Sequence, residues 1–82
     1  MPAIEQPELA ELVREIRVRL KLSQVKLAAK LGVSFQSINR WENGRTKPLP
    51  LALKQLEELL HQMGDRGKDL LAKYFENEEH KP

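Results

Sequence analysis

An 82-residue chain with 40% hydrophobic and 32% charged side chains has room for a single core, which excludes a separate catalytic domain. It contains no cysteine, so a disulfide framework, a thiolate zinc site and a thiol nucleophile are excluded, and a reducing compartment, the cytoplasm, is expected. The net charge of +2 conceals a division along the chain, since residues 1–13 carry −3, residues 14–47 carry +7 and residues 48–82 carry −2. Such a block can form one basic face suited to a polyanion, although charge alone leaves an ordinary solvated surface equally open. The start Met1-Pro2-Ala3-Ile4-Glu5 has no basic region followed by an apolar run, and no apolar stretch approaches the ~18 residues of a membrane span. Neither export by the usual signal nor insertion in a membrane is expected.

Pro7 followed by Glu8 suits the first turn of a helix, and Leu9, Leu12, Val13, Ile16 and Leu20 recur at helical spacing, predicting an amphipathic helix over 7–20. Ser23 is a good N-cap for a second helix over 24–31, with Leu27, Ala28 and Leu31 on one side and Gly32 at its end. Ser34 caps a third helix, in which Phe35, Ile38 and Trp41 are spaced by threes and which Asn43-Gly44 stops. After the loop Arg45-Thr46-Lys47-Pro48, a fourth helix carries Leu53, Leu56, Leu59 and Leu60 up to Met63-Gly64. Asp65 is expected to cap a fifth, with Leu70, Leu71, Tyr74 and Phe75 inward. No segment reads as a strand or an internal repeat. The expectation is an all-α, compact five-helix bundle: a tail over 1–6, one domain over 7–76 and a second tail over 77–82.

Two short helices joined by a three-to-four-residue turn containing glycine form a helix-turn-helix unit, and residues 24–43 fit its internal spacing. Ala28 is small where the helices must cross, Gly32 stands where the turn calls for a positive φ, and Val33, Ile38 and Trp41 supply apolar packing beneath the crossing. The run Ser23-Gln24, Leu27-Ala28, Leu31-Gly32-Val33-Ser34, Ile38, Arg40-Trp41-Glu42-Asn43-Gly44-Arg45 and Pro48 resembles the Cro/C1-type (XRE) helix-turn-helix family of bacterial and phage transcriptional regulators, which implies a bacterial or phage source. The resemblance covers about residues 9–60 and implies a lambda repressor-like DNA-binding domain that recognises double-stranded DNA, commonly as a homodimer on a two-fold operator. The chain carries no effector-binding or protease-like domain after the fifth helix, so control by a ligand or by self-cleavage is not expected.

The resemblance also implies roles for single residues. The third helix would enter the major groove, with Phe35, Gln36 and Arg40 reading base edges. Gln36 can bond an adenine edge and Arg40 a guanine edge, while Phe35 can press on a thymine methyl group. Each has a second use that stays open: Phe35 can pack at the helix start, Gln36 can simply be solvated, and Arg40 can bond a phosphate. Gln24, Ser34, Ser37, Asn43, Arg45, Thr46 and Lys47 are the phosphate-binding or positioning candidates, with capping the simpler role for Ser34. Arg17 and Glu42 match family positions that pair with each other, the carboxylate steadying an arginine that faces DNA.

Catalysis finds no support in the sequence. His61 and His80 belong to no metal-ligand motif, and there is no glycine-rich phosphate loop. No enzyme activity, cofactor or metal is expected. The alternative to a DNA-binding repressor is an interaction module of the same fold that binds a protein partner, such as an antitoxin bound to its toxin or an adaptor to another regulator.

Overall fold

In the computed structural model, which describes residues 8–46 and 49–75, chain direction is set by a repeated device at helix ends. Helix α1 (Glu8–Leu20) has Glu8 and Glu11 in its first turn and Arg17 and Arg19 in its last, each sign matched to the helix dipole. It closes where Leu22 N–H donates to the Arg17 carbonyl at 3.0 Å and Lys21 N–H to that of Val18 at 3.1 Å. This pair of reversed bonds is the Schellman closure, which needs a left-handed residue between helix and exit. Lys21 takes that conformation, with φ 58°, at a cost of about 1 kcal/mol that glycine would not incur.

The same closure ends α2 (Gln24–Leu31), where Gly32 has φ 75° and Val33 N–H donates to the Ala28 carbonyl at 3.0 Å. Ser23 caps the start of α2 by accepting from Lys26 N–H at 3.1 Å, and Ser34 caps α3 (Phe35–Glu42) by accepting from Ser37 N–H at 3.1 Å. Three residues therefore link α2 to α3, and a helix stop adjoining a helix start leaves the connection little freedom. Gly44, with φ 72°, closes α3 in turn through Arg45 N–H to the Arg40 carbonyl at 2.9 Å.

Helix α4 (Pro50–Gln62) begins with a proline in its first turn, and a single 3₁₀ turn (Gly64–Gly67) leads into α5 (Lys68–Tyr74). The expected cap at Asp65 does not form, because Asp65 lies inside the 3₁₀ turn and its carboxylate faces Lys68 Nζ at 3.8 Å. Gly67 takes the cap position. The turn runs so close to α4 that a Cβ on Gly67 would collide with the Leu60 carbonyl, so no side chain, capping or otherwise, fits there. Helix α5 consequently starts three residues beyond Asp65.

All five helices contribute to one core, in which Leu9, Leu12, Val13, Ile16, Leu27, Ile38, Leu56 and Leu60 are fully buried, and no strand occurs among the described residues. Helix α3 packs against both α1 and α2. Of the residues expected inside, Leu20, Val33 and Tyr74 are only partly buried, and Phe35 stands outside the core with 45% of its surface exposed. Phe35 is the first residue of α3 and falls at the edge of its packed face, just past the arc of Ile38, Trp41 and Glu42. Pro7, the tails over 1–6 and 77–82 and the domain limit at 76 lie outside the described residues.

Candidate nucleic-acid interface

Helix α3 has two unlike faces. Ile38, Trp41 and Glu42 point inward, whereas Gln36, Arg40 and Asn43 follow one another at intervals of four and three along the exposed side. Phe35 is exposed at the start of that side, Ser37 and Asn39 are half-buried along its flank, and Arg45 is exposed just beyond its end. Gln24, at the first position of α2, lies against α3, since its amide reaches both Asn39 and Glu42. Thr46 follows Arg45, half-buried, and Lys47 lies outside the described residues.

Glu42 is the one buried charged residue among the described residues, and its carboxylate is the centre of the site. Arg17 grips it with two parallel bonds, Nε to Oε2 at 2.6 Å and Nη2 to Oε1 at 2.9 Å. The third guanidinium nitrogen, Nη1, donates to the Leu22 carbonyl at 3.3 Å. Arg14, one turn earlier on α1, donates to the backbone carbonyl of Glu42 at 2.7 Å and brings its Nε to 3.9 Å from Oε1. Gln24 Nε2 adds a further bond to Oε1 at 3.1 Å.

Burial pushes the Glu42 carboxyl up, but the bonds from Arg17 and Gln24 and the charges of Arg17 and Arg14 outweigh it and hold the group below the usual carboxylate range. The hydrogen bond to Glu42 likewise raises Arg17 above its ordinary value. The expected pair of Arg17 and Glu42 is thus present, and it joins the end of α1 to the end of α3.

The other candidates have definite surroundings. Ser34 caps α3, and its hydroxyl also lies 3.1 Å from that of Ser37, so both hydroxyls are occupied with each other and with the helix start. The Asn43 amide donates to Asn39 Oδ1 at 3.0 Å. Two features escaped the sequence reading. Arg14 shares the carboxylate with Arg17, and a signal existed for it, because positions three apart on one helix share a face. The bond from Asn43 to Asn39 had the same kind of signal, four positions apart on one helix, whereas the bond from Asn39 to Gln24 had none, since it joins two helices whose spacing only the turn sets.

Residues 13–61 match the sequence model of the helix-turn-helix family. The chain is 39% identical over 74 residues to an uncharacterized HTH-type transcriptional regulator of Archaeoglobus fulgidus, a match covering 87% of this chain and 32% of that protein. It is 41% identical over 51 residues to a protein of Methanoculleus marisnigri described as an HTH-type transcriptional regulatory protein, covering 62% of this chain and 16% of that one. The chain belongs to the Cro/C1-type helix-turn-helix family. No solved structure gives a significant match. The chain spans about a third and about a sixth of the length of these two relatives. The Cro/C1-type family is one of DNA-binding transcription regulators and not a class of enzymes.

In this helix-turn-helix domain the lowered Glu42 pKa makes stability depend on pH in a defined direction. A carboxyl depressed on folding contributes stability that is present above its unfolded value, near 4.5, and is lost as pH falls through the folded value. The Glu42→Gln variant is expected to lose stability less steeply than the parent on acidification below about pH 5. Urea titrations across that range check it, and parallel curves for the two proteins would contradict it.

Proposed function

We propose that this chain is a sequence-specific binder of double-stranded DNA and a transcriptional regulator, a repressor that occupies an inverted-repeat operator as a dimer in the cytoplasm. The observation that carries the reading is the exposed face of α3. A glutamine and an arginine, Gln36 and Arg40, stand one turn apart on it, beside the exposed base Arg45, in a domain of the helix-turn-helix family.

A helix of eight residues with such a face fits the major groove, about 12 Å wide, where a glutamine matches the donor and acceptor of adenine and an arginine the two acceptors of guanine. Phe35, exposed at the entering end, suits contact with a thymine methyl group. Arg45, with Thr46 and Lys47, is assigned to the phosphates beyond the groove. Ser34 and Ser37 are assigned to positioning through the helix start, and Arg17 to a phosphate on the α1 side, steadied by Glu42.

Selection of bound sequences from a random duplex pool tests the reading and yields the operator. On that operator, Gln36→Ala and Arg40→Ala are each expected to cost about 1–3 kcal/mol, to cost far less on random DNA, and to relax preference at one base position per half-site. Arg45→Ala is expected to weaken operator and random DNA by similar factors and to make the salt slope of a dimer shallower by roughly two. Unchanged base preference in both α3 variants would remove α3 as the reading element.

A further inference from the structure

The amide side chains of the α2–α3 face form one directed chain. Asn43 Nδ2 donates to Asn39 Oδ1 at 3.0 Å, Asn39 Nδ2 donates to Gln24 Oε1 at 3.3 Å, and Gln24 Nε2 donates to Glu42 Oε1 at 3.1 Å. Every amide gives its N–H on the side toward Glu42 and accepts on the side away from it. The direction has a single cause. A carboxylate only accepts, so the amide beside it turns its NH₂ inward and its carbonyl toward Asn39, and each following amide inherits the same sense. Bonds aligned head to tail also polarise one another in the same direction.

This chain joins the first residue of α2 to the middle and the end of α3. The roll of α3 about its axis is set on one side by the buried Ile38 and Trp41, and Asn39 is held on its flank by Gln24. Gln24, expected from the sequence to offer its side chain to a phosphate, has both ends of that side chain engaged within the protein. Gln24, Asn39 and Asn43 each spend one of two amide hydrogens on the chain and keep one. The Asn39 carbonyl oxygen accepts from Asn43, and a second Nδ2 hydrogen is the donor that Asn39 retains.

We propose that Gln24 is a positioning residue, whose amide transmits the orientation of the buried Glu42 carboxylate, gripped by the partly buried Arg17, to Asn39 and Asn43 and so turns their remaining N–H donors toward phosphate oxygens. The role in binding rests on the DNA-binding reading above, whereas the amide chain is a property of the free protein.

Both levels are tested on the full chain. In the free ¹⁵N-labelled protein, Gln24→Ala and the bulkier Gln24→Met are expected to shift the side-chain NH₂ resonances of Asn39 and Asn43 and to bring each proton pair closer together. The methyl signals of Leu27 and Ile38 are expected to stay in place, which reports an intact core. On the selected operator, Gln24→Ala and Asn39→Ala are each expected to weaken binding about threefold to tenfold, and the double variant to be no weaker than the worse single one. Two independent phosphate ligands would instead multiply, to about tenfold to a hundredfold. Unmoved asparagine resonances overturn the amide chain whether or not DNA binds. Moved resonances with multiplying losses overturn the positioning role and make Gln24 a phosphate ligand in its own right. Failure of the parent protein to bind any duplex overturns the DNA reading and the role in binding with it, while the resonances still report on the chain.

Discussion

Raising salt from about 50 to about 200 mM is expected to weaken operator binding by roughly ten thousandfold. The slope depends on which bases are available to phosphate. Of the nine in the +7 segment, Arg17 is assigned to a phosphate but its charge is balanced by Glu42, Arg14 donates to the Glu42 backbone carbonyl, Arg19 is tied to Asp69 at 2.7 Å and to Glu15 at 3.1 Å, and Lys47 lies outside the described residues. The hydrogen bond from Arg19 holds the Asp69 carboxyl below its usual range, so this pair stays charged and mutually neutralised. Lys21, Lys26, Lys30, Arg40 and Arg45 remain exposed, and they lie on or beside the α2–α3 unit. About four phosphates neutralised per protomer make about eight for a dimer, and log K then falls against log salt with a slope of roughly −7. Fluorescence anisotropy over a salt series measures it. A slope near zero, or no binding at low salt, would remove DNA as the ligand.

Glu42→Ala is expected to weaken DNA binding and to destabilise the fold, although it removes a negative charge from a basic face. Simple electrostatics gives the opposite sign for binding, because deleting an acid near phosphates should increase attraction. Geometry decides against it. The carboxylate collects the two bonds of Arg17, one from Gln24 and the nearby charge of Arg14, and its loss takes both bonds and the opposite charge from Arg17 while Arg14 keeps only its bond to the backbone carbonyl of residue 42.

Breaking a fully buried pair costs about 3–5 kcal/mol, but here 26% of the Arg17 side chain and 56% of that of Arg14 reach solvent, which can take over part of their hydration. A loss of about 2 kcal/mol is expected, lowering the melting temperature of a domain this size by about 10 °C. Binding should fall by about tenfold in addition, since Arg17 loses the grip that fixes its rotamer. Melting by circular dichroism and operator titration at a temperature where both proteins are folded separate the two effects. Tighter binding by a folded Glu42→Ala protein would show that Glu42 does not position Arg17 for DNA.

The first four helices and the turn between α2 and α3 are legible in residue order alone. Those features are local: Ser23 and Ser34 cap helices through bonds to residues three positions on, Gly32 closes one by adopting a conformation that costs glycine little, and apolar residues at helical spacing mark each buried face. The Arg17–Glu42 pair was also legible, but through the family pattern, since nothing local connects residues 25 apart.

Tertiary structure decided the rest. Lys21 shows no sequence sign of a left-handed helix end, and takes that conformation because the chain must leave α1 toward α2. Asp65 looked like a helix cap by residue type, yet the close passage of the 3₁₀ turn over Leu60 gave that position to Gly67. Phe35 matched the spacing of core residues and was left outside, because it stands at the first position of α3, at the edge of the face that packs. The amide chain from Glu42 through Gln24 and Asn39 to Asn43 exists only once α2 and α3 are docked. Caps and periodicity are fixed by residues within one or two turns of each other, whereas strain, exclusion and shared hydrogen bonds arise where distant segments meet.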